Sequence, residues 1–207
     1  MQATLQVIGL SKNYNEKNAV KDISFNLNKN EIIGILGPNG CGKTTTIGMI
    51  LGLLKPTSGK ILINGIEIEK NRVQLLNNLN FISPYIELPK KLTVKQNLIV
   101  YGKLYSVKNL NEKIDYLVSK LRLENLLNRV TGELSSGQKN RISLAKAIIN
   151  DPSVLLLDEP TASLDPEIGD FVRTFLENYK KEKKVSILLA SHNMDEVTRL
   201  CSSIMMM

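Results

Sequence analysis

The sequence predicts an α/β fold with a mainly parallel core sheet, flanking helices, a small antiparallel β subdomain and a helical insert. Three patterns predict it: apolar segments that each end in a turn and a helix, a hairpin signal, and a long stretch with helical spacing. With 207 residues, 43% of them hydrophobic, the chain can bury one large core. We expect a single domain over 1–207, with its core in 1–83 and 151–207 and the helical subdomain at about 84–150.

Buried strands are predicted where apolar residues run almost without interruption. The predicted strands are Glu31–Gly37, Ser153–Glu159 and Val185–Ser191. A strand that is apolar on both faces is typical of a parallel sheet covered on both sides, and such sheets bind ligands beyond the carboxyl ends of their strands. Functional side chains are therefore expected just after each of these segments.

The other elements follow from turn chemistry and periodicity. "KILINGIEIEK" alternates apolar and polar residues around Asn64-Gly65, a dipeptide that favours a tight β-hairpin turn. From Val94 to Leu127, apolar residues recur at helical spacing among Lys, Asn and Glu, which predicts the helical insert.

Composition narrows the classes of protein. No apolar run approaches the ~18 to 20 residues of a membrane span, and the N-terminus lacks the pattern of a secretory signal. Cys41 and Cys201 have no metal-type spacing, so a cytoplasmic location fits. The net charge of +7 is compatible with nucleic acid, an anionic membrane or scattered surface lysines, but aromatic residues make up only 5% and a nucleic-acid partner is not expected.

A phosphate-binding loop is predicted directly after the first apolar strand. "GPNGCGKTT" matches G-x-x-x-x-G-K-S/T between a strand and a helix, where backbone N–H groups and the helix N-terminus can surround phosphate oxygens. Lys43 can reach the β- and γ-phosphates, and the Thr44 hydroxyl would ligate Mg²⁺. The nucleotide-binding residues predicted in this loop are Gly37, Pro38, Asn39, Gly40, Cys41, Gly42, Lys43, Thr44 and Thr45.

Two acids end the strand "VLLLDE". Asp158 is suited to hold Mg²⁺, and Glu159 is suited to orient and deprotonate an attacking water molecule. A phosphate loop with one acid is a generic nucleotide binder, so the second acid indicates hydrolysis. Cys41, near a helix N-terminus and Lys43, is expected to favour its thiolate.

A second anion-binding helix terminus is predicted at "ELSSGQKNRISLAKAI". Ser135 followed by Gln138 forms a capping-box pattern before an apolar-periodic helix, next to a glycine-containing turn. By itself this pattern also fits an ordinary capped helix.

Together these motifs resemble the ATP-binding domain of ABC transporters over nearly the whole chain. The phosphate loop, the LSGGQ signature ("LSSGQ"), the acidic strand ("LLLDEP"), the D-loop ("ASLD") and the switch histidine follow one another in the family's order. The resemblance implies the P-loop NTPase fold of the ABC type, with ATP and Mg²⁺ as cofactors. It also implies a head-to-tail dimer, in which residues of one subunit contact ATP held by Lys43 of the other. Those contacts in trans would be Ser135, Ser136, Gly137, Gln138 and Asp165.

Two further roles come from the resemblance. Tyr14 stands where the family has an aromatic residue that stacks on adenine. His192, the only histidine, follows a predicted core strand and would sense the γ-phosphate and position water, with Glu159 as the base.

The sequence departs from the family at three places. Ser136 replaces a usual glycine of the signature. Pro84 stands where a glutamine usually contacts Mg²⁺, so either Tyr85 or Glu87 takes part of that role or coupling works differently. At "SSIMMM" a further strand and turn would be expected, which suggests a truncated chain.

The predicted function is that of an ATPase subunit that drives a separate integral membrane permease, peripheral on the cytoplasmic face of the membrane. The stretches "LPKKLTVKQNL" and "SHNMDEVTRLC" favour an exporter. The alternative is a soluble ABC ATPase that acts on ribosomes or DNA. Such proteins resemble either two tandem ATPase domains or one domain split by a long coiled coil, and this sequence has neither pattern. A P-loop kinase would leave the signature helix unexplained.

Overall fold

A computed structural model describes residues 3–15, 17–84, 86–162 and 164–207. Its centre is a five-stranded parallel sheet in the order β6-β7-β8-β3-β9. These strands are β3 (Ile32–Leu36), β6 (Leu79–Ile82), β7 (Val154–Asp158), β8 (Ser186–Ser191) and β9 (Ser203–Met206). The three strands predicted from apolar runs are confirmed as β3, β7 and β8, and they are neighbours in the sheet.

The antiparallel sheet is also confirmed, with strands in the order β2-β1-β4-β5. It contains β1 (Ala3–Tyr14), β2 (Lys17–Asn28), β4 (Ser58–Ile63) and β5 (Ile66–Glu67). Asn64 and Gly65 join β4 to β5 with φ of 51° and 78°, the positive values that a type I′ turn requires. The predicted hairpin turn is therefore where the sequence indicated.

Helices cover the parallel sheet and form the insert. They are α1 (Lys43–Ile50), α2 (Arg72–Leu76), α3 (Val94–Leu104), α4 (Leu110–Leu121), α5 (Ser136–Ala147), α6 (Pro166–Lys183) and α7 (Met194–Leu200). The predicted helical stretch from Val94 to Leu127 contains α3, α4 and a single 3-10 turn. No helix in these residue ranges is long and apolar enough to span a bilayer.

Alternating residues of the core strands feed two apolar clusters on opposite faces of the sheet. Ile32, Leu36 and Leu155 pack with the helices of the insert and with α6 and α7. Ile33 and Leu156 point the other way, towards α1 and the antiparallel sheet. The period of two along each strand thus explains why nearly every residue of β3, β7 and β8 is apolar.

Candidate active site

The predicted functional residues converge because three adjacent strands end at one edge of the sheet. The phosphate loop follows β3, Asp158 and Glu159 end β7, and His192 follows β8. Since β8 lies between β7 and β3, His192 emerges in the middle of the group. Backbone hydrogen bonds fix this edge: Glu159 N–H donates to the Ala190 carbonyl at 2.8 Å.

The phosphate loop leads directly into α1. Gly42, the N-cap residue, has a φ of 113° and no side chain to cap the helix, and a Cβ there would collide with the Ala19 carbonyl. Residues 38–40 are exposed, while Cys41 and Thr45 are half-buried. First-turn N–H groups and the positive helix end therefore face a backbone cradle of the kind that binds phosphate.

Lys43 lies almost fully buried in this loop. Its Nζ donates to the carbonyls of Gly37 at 2.7 Å and Pro38 at 3.1 Å, and lies 3.5 Å from Glu159 Oε1. The side chain is only 5% exposed, so its position is fixed by these partners. The ammonium group stands between the loop carbonyls and the second acid, where a phosphate oxygen would compete for it.

Thr44 and Asp158 form the pair suited to a divalent cation. The Thr44 hydroxyl donates to Asp158 Oδ2 at 2.9 Å, and the other oxygen, Oδ1, is buried without a hydrogen-bond partner. The pKa of Asp158 is raised overall. Burial is the main cause and the Glu159 charge adds to it, while the Thr44 hydrogen bond and the Lys43 charge act in the opposite direction. A hydroxyl and an unsatisfied carboxylate oxygen fit Mg²⁺, which binds proteins through a few oxygen ligands beside phosphates.

Glu159 and His192 are in direct contact. His192 Nδ1 lies 2.8 Å from Glu159 Oε2, with Glu159 12% exposed and His192 53% exposed. An ionised Glu159 can only accept in this contact, which then requires the proton on Nδ1 and leaves Nε2 for another partner. Glu159 also has a φ of 51°, an uncommon conformation for a residue other than glycine, and such strain clusters at functional sites.

The signature residues lie at the N-terminus of α5. The predicted capping box is present: Ser135 Oγ accepts from Gln138 N–H at 3.3 Å, and Gln138 Oε1 accepts from Ser135 N–H at 3.1 Å. Ser136 and Gly137 form the first turn, and Gly137 faces Ile168 of α6 closely. Asp165 caps α6 by accepting from Ile168 N–H at 3.0 Å, so the signature and D-loop residues occupy neighbouring helix starts.

This group of residues makes no hydrogen bond to the phosphate loop in the described part of a single chain. The contact of Ser135–Gln138 and Asp165 with a nucleotide in trans therefore stays a prediction. Within the described residues, α5 is connected to the segment after β7, since Asn140 Nδ2 donates to the Pro160 carbonyl at 2.7 Å.

Tyr14 ends β1 and is 46% exposed. Lys12 Nζ lies 5.0 Å from the centre of its ring, a cation–π distance. The hairpin that carries Tyr14 approaches the phosphate loop through Ala19, the residue beside Gly42. An exposed ring on this hairpin is suited to stack on a base.

The loop after β6 carries the residues that stand near the position of the family's usual glutamine. Pro84 and Glu87 line a cavity of about 340 Å³ that also reaches Glu159. Glu87 is exposed and paired with Lys90 at 2.6 Å, and this ion pair lowers the pKa of Glu87. Tyr85, the other predicted substitute, lies outside the described residues.

Sequence analysis missed a buried acid next to this site. Glu196 on α7 is 1% exposed and accepts hydrogen bonds from the hydroxyls of Ser191 and Thr161, each at 2.7 Å. The signal was available as Asn193 followed by Glu196, a helix-start pattern, because Asn193 caps α7. Its long-range partner Thr161 could not be foreseen from that pattern.

The parallel sheet, and the phosphate loop and acids at the ends of its central strands, define a nucleotide-binding domain of the P-loop type. The helical subdomain and the signature helix are added to it. A family model described as ABC transporter matches residues 20–162. The chain belongs to this family, among its ATP-binding subunits. Its fold is the P-loop ABC fold.

Sequence identity to individual members of the family supports the same assignment. The chain is 40% identical over 200 residues to "Nod factor export ATP-binding protein I" of Rhizobium johnstonii, covering 95% of this chain and 64% of that protein. It is 36% identical over 191 residues to "ABC transporter ATP-binding protein NatA" of Bacillus subtilis, covering 91% of this chain and 77% of that protein. The chain thus spans less than two thirds of the length of the first of these relatives.

Solved structures show the same fold. One, described as the ATP binding subunit of an ABC transporter, superposes with a TM-score of 0.90 at 27% identity, covering 99% of this chain and 85% of the other. Another is cbiO1 from Clostridium perfringens, part of the ABC transporter complex cbiONQ. It has a TM-score of 0.86 and 31% identity, covering 100% of this chain and 85% of that one.

Proposed function

We propose that the protein binds and hydrolyses ATP and that Glu159 is the general base. The observation that carries this proposal is the Glu159 carboxylate, held between His192 Nδ1 at 2.8 Å and Lys43 Nζ at 3.5 Å on the edge that carries the phosphate loop. A base placed between a phosphate-binding lysine and a second positioning group can deprotonate water beside the γ-phosphate.

The other roles divide as follows. Lys43 and the first-turn N–H groups of α1 hold the β- and γ-phosphates, and Tyr14 stacks on adenine. Thr44 and Asp158 would hold Mg²⁺, which neutralises phosphate charge when bound. His192 donates Nδ1–H to Glu159, which keeps the ring oriented and leaves Nε2 for the attacking water or the γ-phosphate.

We further propose a head-to-tail dimer. Ser135, Ser136, Gly137 and Gln138 on α5, with Asp165, would close over the phosphate held by the partner. A helix N-terminus is an anion site, and among the described residues the start of α5 makes no hydrogen bond to its own phosphate loop. The helical subdomain, at about 84–150, carries this helix start.

The cellular role proposed is to drive a separate integral membrane permease from the cytoplasmic side. The relative named for Nod factor export favours export, and cbiO1 is described as part of an ABC transporter complex.

Two measurements test these proposals. Phosphate release from MgATP by the purified chain tests the chemistry, with Glu167→Gln, an exposed acid on α6, as the matched control for Glu159→Gln. Wild-type release equal to that of Glu159→Gln would refute hydrolysis at this site. Affinity purification of tagged protein from its native cells tests the partner: an integral membrane protein supports the permease, whereas ribosomes or DNA would refute it.

A further inference from the structure

Glu196 joins the two segments that carry the candidate base and the candidate sensor. Thr161 lies two residues after Glu159, and Ser191 lies one residue before His192. Both hydroxyls donate to Glu196, Thr161 to Oε1 and Ser191 to Oε2, each at 2.7 Å. Each carboxylate oxygen therefore holds one of the two segments.

Hydrogen bonds at the start of α7 also fix the backbone that carries the Glu196 carboxylate. Asn193 caps α7, and its Oδ1 accepts from the Glu196 N–H at 3.2 Å, while Asn193 N–H donates to Ser191 Oγ at 3.1 Å. Ser191 is fully buried, and Glu196 is 1% exposed. A buried carboxylate is retained only where hydrogen bonds satisfy it, so both hydroxyl bonds are needed in the folded protein.

The hydrogen bonds of Glu196 restrict the distance between the Glu159 carboxylate and the His192 ring. Glu159 is connected to Ala190 by a backbone hydrogen bond, but nothing in that bond fixes the direction of its side chain relative to the imidazole. The Glu196 links act on the turn after Glu159 and on the turn that directs His192 out of the sheet. Together these contacts hold the two turns against each other.

We propose that Glu196 is a positioning residue that holds His192 Nδ1 against Glu159 through Thr161 and Ser191. The inference rests on the proposed hydrolysis reaction, in which Glu159 and His192 act on the same water. Loss of the link lets the two side chains separate, and a misplacement of about 1 Å can reduce a rate by about a hundredfold.

The mildest test removes one hydroxyl. Thr161→Val keeps the volume and deletes the donor to Glu196, while Thr161→Ser keeps the donor. We expect Thr161→Val to lower kcat about tenfold to a hundredfold, with the Kd for MgATP unchanged because the phosphate loop is untouched, and Thr161→Ser to retain activity. For the acid-to-amide change Glu196→Gln, the matched control is Asp195→Asn, which neutralises an exposed acid beside Glu196 on α7.

A second variant tests the acid itself. In Glu196→Gln, the amide oxygen can accept one hydroxyl bond but the amide nitrogen must donate to the other hydroxyl, so one link is weakened. If both residues act through one link, combining Thr161→Val with Glu196→Gln lowers kcat little beyond the larger single effect. Fully multiplicative losses would overturn the inference.

Nuclear magnetic resonance provides a measurement that does not depend on turnover. His192 is the only histidine, so its ring ¹⁵N signals are assigned without ambiguity. In the neutral ring, the wild type should hold the proton on Nδ1, facing Glu159. Thr161→Val should shift the ring towards the Nε2–H form that free histidine prefers, and Thr161→Ser should not.

The outcomes separate this inference from the proposed function. A lower kcat in Thr161→Val with an unchanged Nδ1–H signal would overturn the positioning role, as would an unchanged kcat. If the wild type does not hydrolyse ATP, the proposed function fails, yet the tautomer shift still tests whether Glu196 holds the pair. Melting curves of each variant establish that the compared proteins are folded.

Discussion

Replacement of Glu159 by glutamine gives the sharpest test of the chemistry. The side chain keeps its size but can no longer take a proton from water, so the loss of a general base should reduce kcat by about 10²- to 10⁴-fold. That loss corresponds to about 3 to 5 kcal/mol of activation free energy. His192 Nδ1–H can still donate to the amide oxygen, so the geometry of the pair is conserved.

The same change should not weaken nucleotide binding. Lys43 Nζ and Glu159 Oε1 are 3.5 Å apart, which corresponds to a gross attraction of about 5 kcal/mol at an effective dielectric constant of 20, before desolvation of either group is counted. A phosphate competes with this attraction for the ammonium group. Without the Glu159 charge, Lys43 is released to the phosphate, so the Kd for ATP should stay equal or decrease.

Three assays check this expectation. Single-turnover phosphate release measures the chemical step, equilibrium titration with a fluorescent ATP analogue measures Kd, and size-exclusion chromatography with MgATP detects the trapped dimer. Glu167→Gln should behave as wild type in all three. Turnover of Glu159→Gln equal to that of the wild type would show that Glu159 is not the base. A markedly weaker Kd would show that its charge contributes to nucleotide binding.

Three further changes test neighbouring groups. His192→Ala should lower turnover far more than ATP affinity, and equal losses of both in kinetics and titration would contradict its positioning role. Alkylation of Cys41 should inactivate the protein with protection by bound nucleotide; modified protein that still binds and turns over ATP would contradict this. Because burial raises the pKa of Asp158, the folded state takes up its proton more readily than the unfolded state. Stability from this group therefore falls as the pH rises above the ordinary value of 3.8. Asp158→Asn should raise the free energy of unfolding at pH 7 by about 1 kcal/mol, measured by thermal or urea denaturation, and an unchanged or lower stability would contradict it.

Much of the fold could be predicted because local patterns and burial agree. β3, β7 and β8 are buried on both faces, and an uninterrupted apolar run is the sequence signature of that environment. The turn at Asn64-Gly65 was predictable because its positive φ values require those residue types.

Two strands, β6 and β9, do not stand out in the sequence as apolar runs, for physical reasons. β6 contains Asn80, a polar residue that is 1% exposed, and this breaks the apolar run. Its amide donates to the Ala147 carbonyl at 2.8 Å and to Asn150 Oδ1 at 2.6 Å, partners almost 70 residues away that no local pattern reveals. β9 is short, mostly exposed and at the sheet edge, so it lacks the signature of a core strand.

In the candidate site, too, some residues could be predicted from local sequence and others depend on long-range contacts. Lys43, Thr44, Asp158 and Glu159 were predicted as residue types with a chemical role, and the sheet order brings them together. Glu196 escaped prediction because an acid in a sequence is usually solvated, and its burial depends on hydroxyls from two separate segments.

The three strands that deliver the active groups are hydrogen-bonded neighbours, and this has a consequence for length variation. One residue deleted from β8 would withdraw His192 by about 3.3 Å and turn the preceding side chains to the opposite faces of the sheet. A deletion in the turns of the antiparallel sheet leaves the spacing of the three strand ends unchanged. Insertions and deletions should therefore be excluded from the segments between Ile32 and Leu36, Val154 and Asp158, and Ser186 and Ser191, whatever amino acids fill them.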